Sequence, residues 1–130
     1  MADKTKLRGR WGEALAAEYL RKKGYMITAM GWRSRFGEID VVAEDRRTLA
    51  FVEVKLRKSA DFAAAREFVD RRKREKLIKT AKLYLAEHET EKQPRFDVVE
   101  IYAPDGVETK APTLHYIENA FGVNDEYSAF

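Results

Sequence analysis

The sequence FGEIDVVAEDRRTLAFVEVKLR at residues 36–57 decides the fold, because side chains of different character alternate on both sides of a charged turn. Alternation with a period of two is typical of β-strands, whose successive side chains point to opposite faces of a sheet. This stretch therefore predicts a β-hairpin with a loop at residues 45–48. One face of the hairpin is wholly apolar and is predicted to be core: Ile39, Val41, Ala43, Ala50, Val52, Val54 and Leu56.

The opposite face of the predicted hairpin is mostly charged, and it carries Glu38, Asp40, Val42, Phe51, Glu53 and Lys55. With a loop at residues 45–48, the register places Asp40 opposite Glu53 and Glu38 opposite Lys55. Like charges on neighbouring strands are destabilising, because their Cβ atoms lie roughly 4.5–5.5 Å apart. The pair of Asp40 and Glu53 therefore calls for a cation between the two carboxylates.

A divalent metal ion meets that need. Carboxylate oxygens in a chain without cysteine favour Mg²⁺ or Mn²⁺ and argue against structural zinc. Lys55 lies on the same face as Glu53, where it can add positive charge or move a proton. The alternative is an amphipathic hairpin with a solvated charged face, which the tripeptide Glu53-Val54-Lys55 taken alone would favour.

Further motifs favour a functional site over a solvated charged face. They are Gly12-Glu13 in a first helix, Gly37-Glu38-Ile39-Asp40, Phe51-Val52-Glu53-Val54-Lys55-Leu56-Arg57, Lys73 in a later helix, and Arg95-Phe96-Asp97-Val98-Val99. In this combination the sequence resembles the bacterial YraN-type family of the PD-(D/E)xK nuclease superfamily, which is similar in its core to the archaeal Holliday-junction resolvases. The resemblance runs from about residue 9 to residue 121.

The resemblance implies a restriction endonuclease-like α/β fold, with a mixed β-sheet of about four or five strands flanked by helices. It also implies a metal-dependent endonuclease that hydrolyses phosphodiester bonds in DNA, with branched or repair intermediates among the expected substrates. The products would carry 5′-phosphate and 3′-hydroxyl ends. A homodimer is a further partnership that the resemblance allows.

The resemblance also assigns roles to residues of the site. Asp40 and Glu53, with the main-chain carbonyl of Val54, would hold Mg²⁺ or Mn²⁺. Lys55 would orient or help to deprotonate the attacking water. The remaining two acidic residues would shape the site or hold a second metal: Glu13 and Glu38.

Charge is distributed unevenly along the chain. Residues 1–82 contain 22 Lys and Arg against 12 Asp and Glu, whereas residues 83–130 contain 3 against 10. Such an asymmetry suggests a polyanionic partner for the first part. The residues predicted to bind nucleic acid are Arg33, Arg35, Arg57 and Lys73.

The remaining elements follow from periodicity. Residues 7–23 predict an amphipathic helix ended by Gly24, and residues 25–32 predict a strand. Trp32 at its end is either core or a stacking edge for nucleic acid, with core favoured. A loop at residues 59–65 precedes a helix over residues 66–88, whose apolar stripe is Leu77, Ile78, Ala81, Tyr84 and Leu85. Lys73 lies on the inward flank of that stripe.

Two more strands are predicted in the last third of the chain. The first covers residues 95–102, and its Asp97 needs a buried partner, for which Arg95 is the candidate. The second is a short strand at residues 114–117, reached through a turn at residues 104–106.

Length and composition set the remaining limits. A chain of 130 residues predicts one domain, at residues 1–121, with an acidic frayed tail at residues 122–130. The chain has no cysteines and no run near the roughly 18 apolar residues of a membrane span, which predicts a cytoplasmic protein without a membrane partner. No small-molecule substrate is expected, since the sequence has no phosphate-cradling glycine loop. Two rival functions stay open, namely a noncatalytic nucleic-acid-binding module and a protein-interaction module.

Overall fold

A computed structural model describes residues 4–58 and 71–122. The elements in this part are α1 (Lys4–Lys22), β1 (Met26–Ser34), β2 (Gly37–Glu44), β3 (Thr48–Arg57), α2 (Arg71–Glu87), β4 (Gln93–Tyr102), a 3₁₀ turn (Gly106–Glu108) and β5 (Thr113–Phe121). The strands form one sheet in the order β1-β2-β3-β4-β5. β3 and β4 are parallel, and the other neighbouring pairs are antiparallel. The predicted mixed α/β architecture is therefore confirmed.

The connection between β3 and β4 explains the position of α2. Parallel neighbours cannot be joined by a tight turn, so the chain must cross over the sheet between them. α2 lies in that crossover and packs against the sheet. The predicted loop at residues 59–65 and the first predicted helical residues, 66–70, lie outside the described residues.

Both faces of the sheet are covered, because α1 packs on one and α2 on the other. The core on the α1 face consists of Ala16, Leu20, Val41, Ala43, Ala50, Val52, Val99, Ile101 and Ala103. The core on the α2 face consists of Ile39, Val42, Leu49, Phe51, Leu77, Ile78, Ala81, Tyr84, Phe96, Val98, Ala120 and Phe121. The predicted apolar stripe of the second helix is confirmed.

α1 ends as its sequence predicts. Gly24 adopts a φ of +93°, a left-handed conformation that glycine tolerates best. Its N–H donates to the Arg21 carbonyl at 3.0 Å, and the Tyr25 N–H donates to the Leu20 carbonyl at 3.0 Å. These two hydrogen bonds form a Schellman motif, which satisfies the last carbonyls of the helix and turns the chain into β1.

The prediction for Ile39 is wrong, since this residue packs on the α2 face and not with Val41 and Ala43. Its partner across the sheet is Trp32 of β1, which packs edge-on against Tyr84 of α2 with ring centroids 5.2 Å apart. Gly31, beside Trp32, has a φ of +62° that breaks the regular alternation of β1. Ile39 turns toward α2 together with Trp32.

The face predicted to be mostly charged is divided into an apolar part and a charged part. Val42 and Phe51 in its middle are buried under α2. Glu38 is not opposite Lys55; it pairs with Arg33 across β1. The charged residues of this face lie at the end of the hairpin away from its turn, where the strands leave the two cores.

Asp97 is fully buried, and its predicted partner is confirmed. Arg95 donates to both of its carboxylate oxygens at 2.8 Å. The Tyr116 hydroxyl and the Asn119 N–H also donate to it, at 2.6 and 2.8 Å. β5 spans nine residues and not the four predicted, because its pairing with β4 continues to Phe121. Polar residues beyond Ile117 mask the strand pattern, yet their main chain is held by Asp97.

Neither described helix has a stretch that is both long enough and apolar enough to cross a lipid bilayer. Beyond Gly122, the predicted tail lies outside the described residues.

Candidate active site

The candidate site lies where β2 and β3 separate. The two strands pair from the turn as far as Val41 and Val52. Beyond this point β2 continues beside β1, and β3 continues beside β4. The main-chain N–H of Val54 is thereby available to a side chain, and it donates to Asp40 Oδ2 at 2.8 Å. The fork between the strands thus orients Asp40.

Three carboxylates converge at this fork, and we call them the acidic group: Glu13, Glu38 and Asp40. Glu13 comes from α1, and the other two come from β2. One carboxylate oxygen of each residue lies within 4.8 Å of the other two. Glu13 and Glu38, which the sequence predicted as supporting residues, therefore stand beside Asp40.

Gly12 makes room for this convergence, and Gly31 lies beside it. A Cβ atom at Gly12 would lie only 3.3 Å from side-chain atoms of Val54 and Leu56, so the bare glycine lets α1 approach β3 closely. A Cβ atom at Gly31 would lie 3.5 Å from the Glu38 carboxylate. Gly12 thus brings Glu13, its neighbour in α1, close to β3.

Positive charge near the acidic group is limited, since the exposed Arg33 pairs with Glu38 and Arg10 acts on Glu13. Burial, followed by the charge of Glu53, raises the pKa of Asp40 to about 7, and the Val54 hydrogen bond lowers it only in part. Burial, followed by the charge of Glu38, raises the pKa of Glu13, although Arg10 opposes this shift. Raised carboxyl pKa values mean that the surroundings disfavour the ionised forms. A bound cation would reverse this penalty.

Glu53 lies on the α2 side of the fork with two lysines, and we call these three residues the lysine group. The Glu53 side chain is 7% exposed. Its Oε1 atom lies 2.8 Å from Lys73 Nζ and 3.6 Å from Lys55 Nζ. The predicted inward position of Lys73 is confirmed, and it brings α2 into the site.

The two lysines differ in their protonation. Burial lowers the pKa of Lys73, but the hydrogen bond and charge of Glu53 outweigh burial, so that this pKa is raised overall. Burial, followed by the hydrogen bond from Lys73, lowers the pKa of Lys55 despite the charge of Glu53. Lys73 therefore stays protonated, whereas Lys55 gives up its proton more readily.

The donor set fits a hard divalent cation. Mg²⁺ and Mn²⁺ prefer oxygen ligands, and the acidic group offers only carboxylate oxygens at close mutual distances. Glu53 is adjacent to Asp40 but already neutralised by lysines. The structure thus places Glu13 nearer to the centre of the predicted metal site than the sequence did, and Glu53 nearer to its edge.

The four predicted nucleic-acid-binding residues are dispersed around this centre. Arg33 pairs with Glu38 at 2.8 Å, and its side chain is 79% exposed. Arg35 lies over the Phe36 ring, with its guanidinium carbon 4.9 Å from the ring centroid. Arg57 Nε lies 4.0 Å from Glu100 Oε2, beside a fully buried carboxylate. The fourth, Lys73, contacts the predicted catalytic residue Glu53 at 2.8 Å.

Trp32 belongs to the core, as the favoured alternative predicted. Its ring packs edge-on against Tyr84 and His88, with centroids 5.2 and 6.5 Å away. Its contacts within the α2-face core account for its place at the end of β1 without a bound base.

Two clefts open on either side of Glu38. The first, of about 550 Å³, lies toward α1 and is lined by Arg10, Glu13 and Arg33 among others. The second, of about 530 Å³, lies toward α2 and is lined by Gly37, Glu38, Arg72, Lys73, Lys76 and Leu77. Glu38 borders both clefts, so the acidic group lies at their junction.

Sequence reasoning missed several residues around the site. Glu100 is fully buried next to Arg57, and the signal was an acidic residue in the middle of a buried strand, the same signal that singled out Asp97. Ser34 and Thr80 join the β1–β2 turn to α2, with their hydroxyl oxygens 3.0 Å apart. No periodicity reveals such a pair, because its partners are 46 residues apart.

Comparison with known proteins identifies a matching protein family. The family described as "Uncharacterised protein family UPF0102" matches residues 12–101, which include the acidic group and the lysine group. A "UPF0102 protein" of Persephonella marina is 40% identical over 119 residues, covering 91% of this chain and 96% of that protein.

Two further relatives carry the same description. The protein of Syntrophomonas wolfei is 44% identical over 119 residues, covering 87% of this chain and 96% of the relative. The protein of Stutzerimonas stutzeri is 44% identical over 115 residues, covering 87% and 92%. The family part of the predicted resemblance is confirmed, and its nuclease part stays a prediction. The chain belongs to the UPF0102 family.

Proposed function

We propose that this protein is a metal-dependent nuclease that hydrolyses phosphodiester bonds in DNA. The observation that carries the proposal is the convergence of Glu13, Glu38 and Asp40 within 4.8 Å, next to a buried glutamate that holds two lysines. Carboxylates that attract a divalent cation, combined with lysines that attract phosphate, are the parts that phosphodiester hydrolysis requires.

The acidic group would hold the metal ion in this mechanism. When bound, Mg²⁺ or Mn²⁺ would act as a Lewis acid on the phosphate and lower the pKa of a coordinated water. The Val54 N–H fixes one oxygen of Asp40 and so orients this ligand. Glu53 and the Val54 carbonyl remain further candidates from the sequence, and the fork keeps both next to Asp40.

Lys55 would handle the proton. Its lowered pKa makes it a better proton acceptor near neutral pH than an ordinary lysine. In the hydrolysis, the water oxygen forms a bond to phosphorus and the bond from phosphorus to the 3′ oxygen breaks. The proton of the water passes to the neutral amine of Lys55, and the departing 3′ oxygen takes a proton from solvent water, so the products carry 5′-phosphate and 3′-hydroxyl ends. Lys73, which stays charged, would hold Glu53 in place and attract the phosphate.

A noncatalytic nucleic-acid-binding module is the second candidate, and one observation favours it. Two lysines already neutralise Glu53, so this carboxylate does not need a bound metal ion to balance its charge. Such a module would bind DNA through the same cations, and Asp40 would contribute nothing to binding.

The decisive experiment is incubation of labelled single-stranded, duplex, flap and four-way-junction DNA with the protein and Mg²⁺ or Mn²⁺. We expect metal-dependent cleavage of at least one substrate, and loss of that cleavage in Asp40→Asn. Calorimetry on the same variant should show weaker metal binding than in the wild type.

A matched control is Asp45→Asn at the opposite end of the hairpin, where the Asp45 carboxylate only accepts hydrogen bonds from its own turn. This variant should bind metal and cleave like the wild type. Absence of cleavage on every substrate, or cleavage that persists in Asp40→Asn, would leave the binding module as the better account.

A further inference from the structure

A row of cations runs from the lysine group along α2 to the β1–β2 turn, and we call it the basic stripe: Arg72, Lys76, Lys79 and Arg35. The three α2 residues are spaced by four and three positions, so they lie on one side of the helix. They span about 10 Å along the helix axis at 1.5 Å per residue.

The first two residues of the basic stripe line a cleft. Arg72 and Lys76 border the cleft of about 530 Å³ on the α2 side, which continues to Glu38 and Lys73. In the described part of the chain, neither cation makes an ion pair, whereas Lys73 beside them is held by Glu53. The cleft therefore offers positive charge directly next to the acidic group.

The last two residues of the basic stripe are held in place by an aromatic ring. Lys79 Nζ lies 5.4 Å from the centroid of the Phe36 ring, and the Arg35 guanidinium carbon lies 4.9 Å from it. Cation–π contacts of this kind position a charge but leave it able to meet an anion. Because Phe36 carries both cations, it orients charge and is not a free platform for a base.

Like charges spaced by four residues on one helix face destabilise the helix by a few tenths of a kcal/mol. A helix that keeps Arg72 and Lys76 together at a cleft therefore gains from a partner with regularly spaced negative charges. A nucleic-acid backbone is such a partner, and its phosphates are bound by charge without regard to sequence.

We propose that the basic stripe binds the phosphates of the nucleic-acid strand that flanks the phosphodiester in the acidic group. This inference rests on the proposed function and adds the path of the strand, from the α2-side cleft outward over Phe36. Binding along the stripe is to the backbone, so its affinity depends on salt and not on base sequence.

The test measures binding of fluorescein-labelled DNA by anisotropy in buffer with EDTA, where a metal-dependent activity cannot act. The variants are Lys76→Gln, Arg72→Gln and the double variant. Lys82→Gln is the matched control, since Lys82 is an exposed lysine on the same helix outside both clefts. Circular dichroism and thermal melting verify that each variant is folded.

We expect Lys76→Gln and Arg72→Gln each to reduce the slope of log affinity against log salt by about one, and the double variant by about two. Lys82→Gln should leave the slope unchanged. Single strands, duplexes and RNA of two unrelated sequences should respond alike to the substitutions, because the contacts are to phosphates.

The outcomes separate the stripe from the nuclease activity. If the stripe variants bind like Lys82→Gln while the wild type cleaves DNA, the stripe is overturned and the nuclease stands. If the stripe variants lose affinity while no substrate is cleaved, the stripe stands and the nuclease falls. A wild type that binds neither DNA nor RNA overturns the stripe outright.

Discussion

The carboxylates on the two sides of the fork have opposite electrostatic surroundings. On the α1 side, the acidic group gathers Glu13, Glu38 and Asp40 with too little positive charge, and the pKa values of Glu13 and Asp40 are raised. On the α2 side, the single carboxylate of Glu53 is the most buried of the four and has two lysines.

This difference shows how the fold could separate two tasks. A carboxylate that protein cations already neutralise attracts a metal ion less strongly than carboxylates whose ionised forms are disfavoured by burial and by one another. The lysine group instead supplies fixed and mobile positive charge for a phosphate. The proposed chemistry needs both environments within one site, and the separation of β2 and β3 creates them.

The largest expected effect is on the rate of DNA cleavage when Lys55 of the lysine group is replaced. A lysine that only contacts phosphate acts as a point charge, so saturation with protein would restore the activity of Lys55→Ala. A lysine that moves a proton acts on the chemical step, which is worth on the order of 10²–10⁴-fold in rate. We expect Lys55→Ala to bind DNA nearly as well as wild type and to cleave at least about 100-fold more slowly in single-turnover assays with excess protein.

Lys92→Ala serves as the matched control for this comparison, because Lys92 also pairs with a strand glutamate, Glu44, but at the far end of the sheet. Its cleavage rate should stay at the wild-type value. Normal cleavage by saturated Lys55→Ala would remove Lys55 from the chemistry and leave it a phosphate contact.

The hairpin and its charged residues could be predicted from sequence because they depend on local alternation. Local sequence patterns also predicted the apolar stripe of α2, the end of α1 at Gly24 and the pair of Arg95 with Asp97. Each of these depends on residues close together in sequence. Local patterns carry this information since strand and helix periodicities are properties of the backbone itself.

The division of the site into two sides could not be predicted in the same way. It depends on where β2 and β3 stop pairing, and on the turn of β1 at Gly31, which moves Ile39 to the α2 face. Strict alternation assumes an undisturbed ladder, so it placed Glu38 opposite Lys55. The contacts from α1 to Asp40 and from α2 to Glu53 bring distant segments together, and no spacing in the sequence encodes them.

The next largest effect is on the pH dependence of the free energy of unfolding, which Asp40 of the acidic group changes when no metal is bound. The folded-state pKa of Asp40, about 7, lies above the ordinary value of 3.8, so the folded state keeps a proton that the unfolded state releases. The free energy of unfolding should therefore fall as pH rises from about 4 to about 7. Asp40→Asn should remove much of this fall and stabilise the metal-free protein near pH 8, by on the order of 1–3 kcal/mol.

Urea unfolding in EDTA buffer at several pH values measures this effect. Asp45 gives a comparison, because its pKa is shifted in the opposite direction. Two main-chain N–H groups, of Arg47 and Thr48, lower the pKa of Asp45. Its contribution to stability is present above about pH 4 and is lost as pH falls further, so Asp45→Asn should weaken the protein at neutral pH. Equal pH profiles for wild type and Asp40→Asn would contradict the account of the acidic group.

The smallest expected effect concerns the contact that joins the two sides. Thr80 of α2 is fully buried, donates to the Lys76 carbonyl at 2.8 Å, and lies 3.0 Å from the Ser34 hydroxyl. Ser34 in turn accepts from the Phe36 N–H at 3.0 Å. This pair therefore ties the turn that leads into Glu38 and Asp40 to the helix that carries Lys73.

Thr80→Val keeps the shape of the side chain and removes its hydroxyl, so the protein should lose about 1 kcal/mol of unfolding free energy, the usual worth of one hydrogen bond. Ser34→Ala removes the same contact from the other end. Because both variants delete one shared interaction, their combination should be less destabilising than the sum of the single effects, with a coupling energy of about 0.5–1 kcal/mol. Strictly additive losses would mean that the two hydroxyls act separately and do not couple the β1–β2 turn to α2.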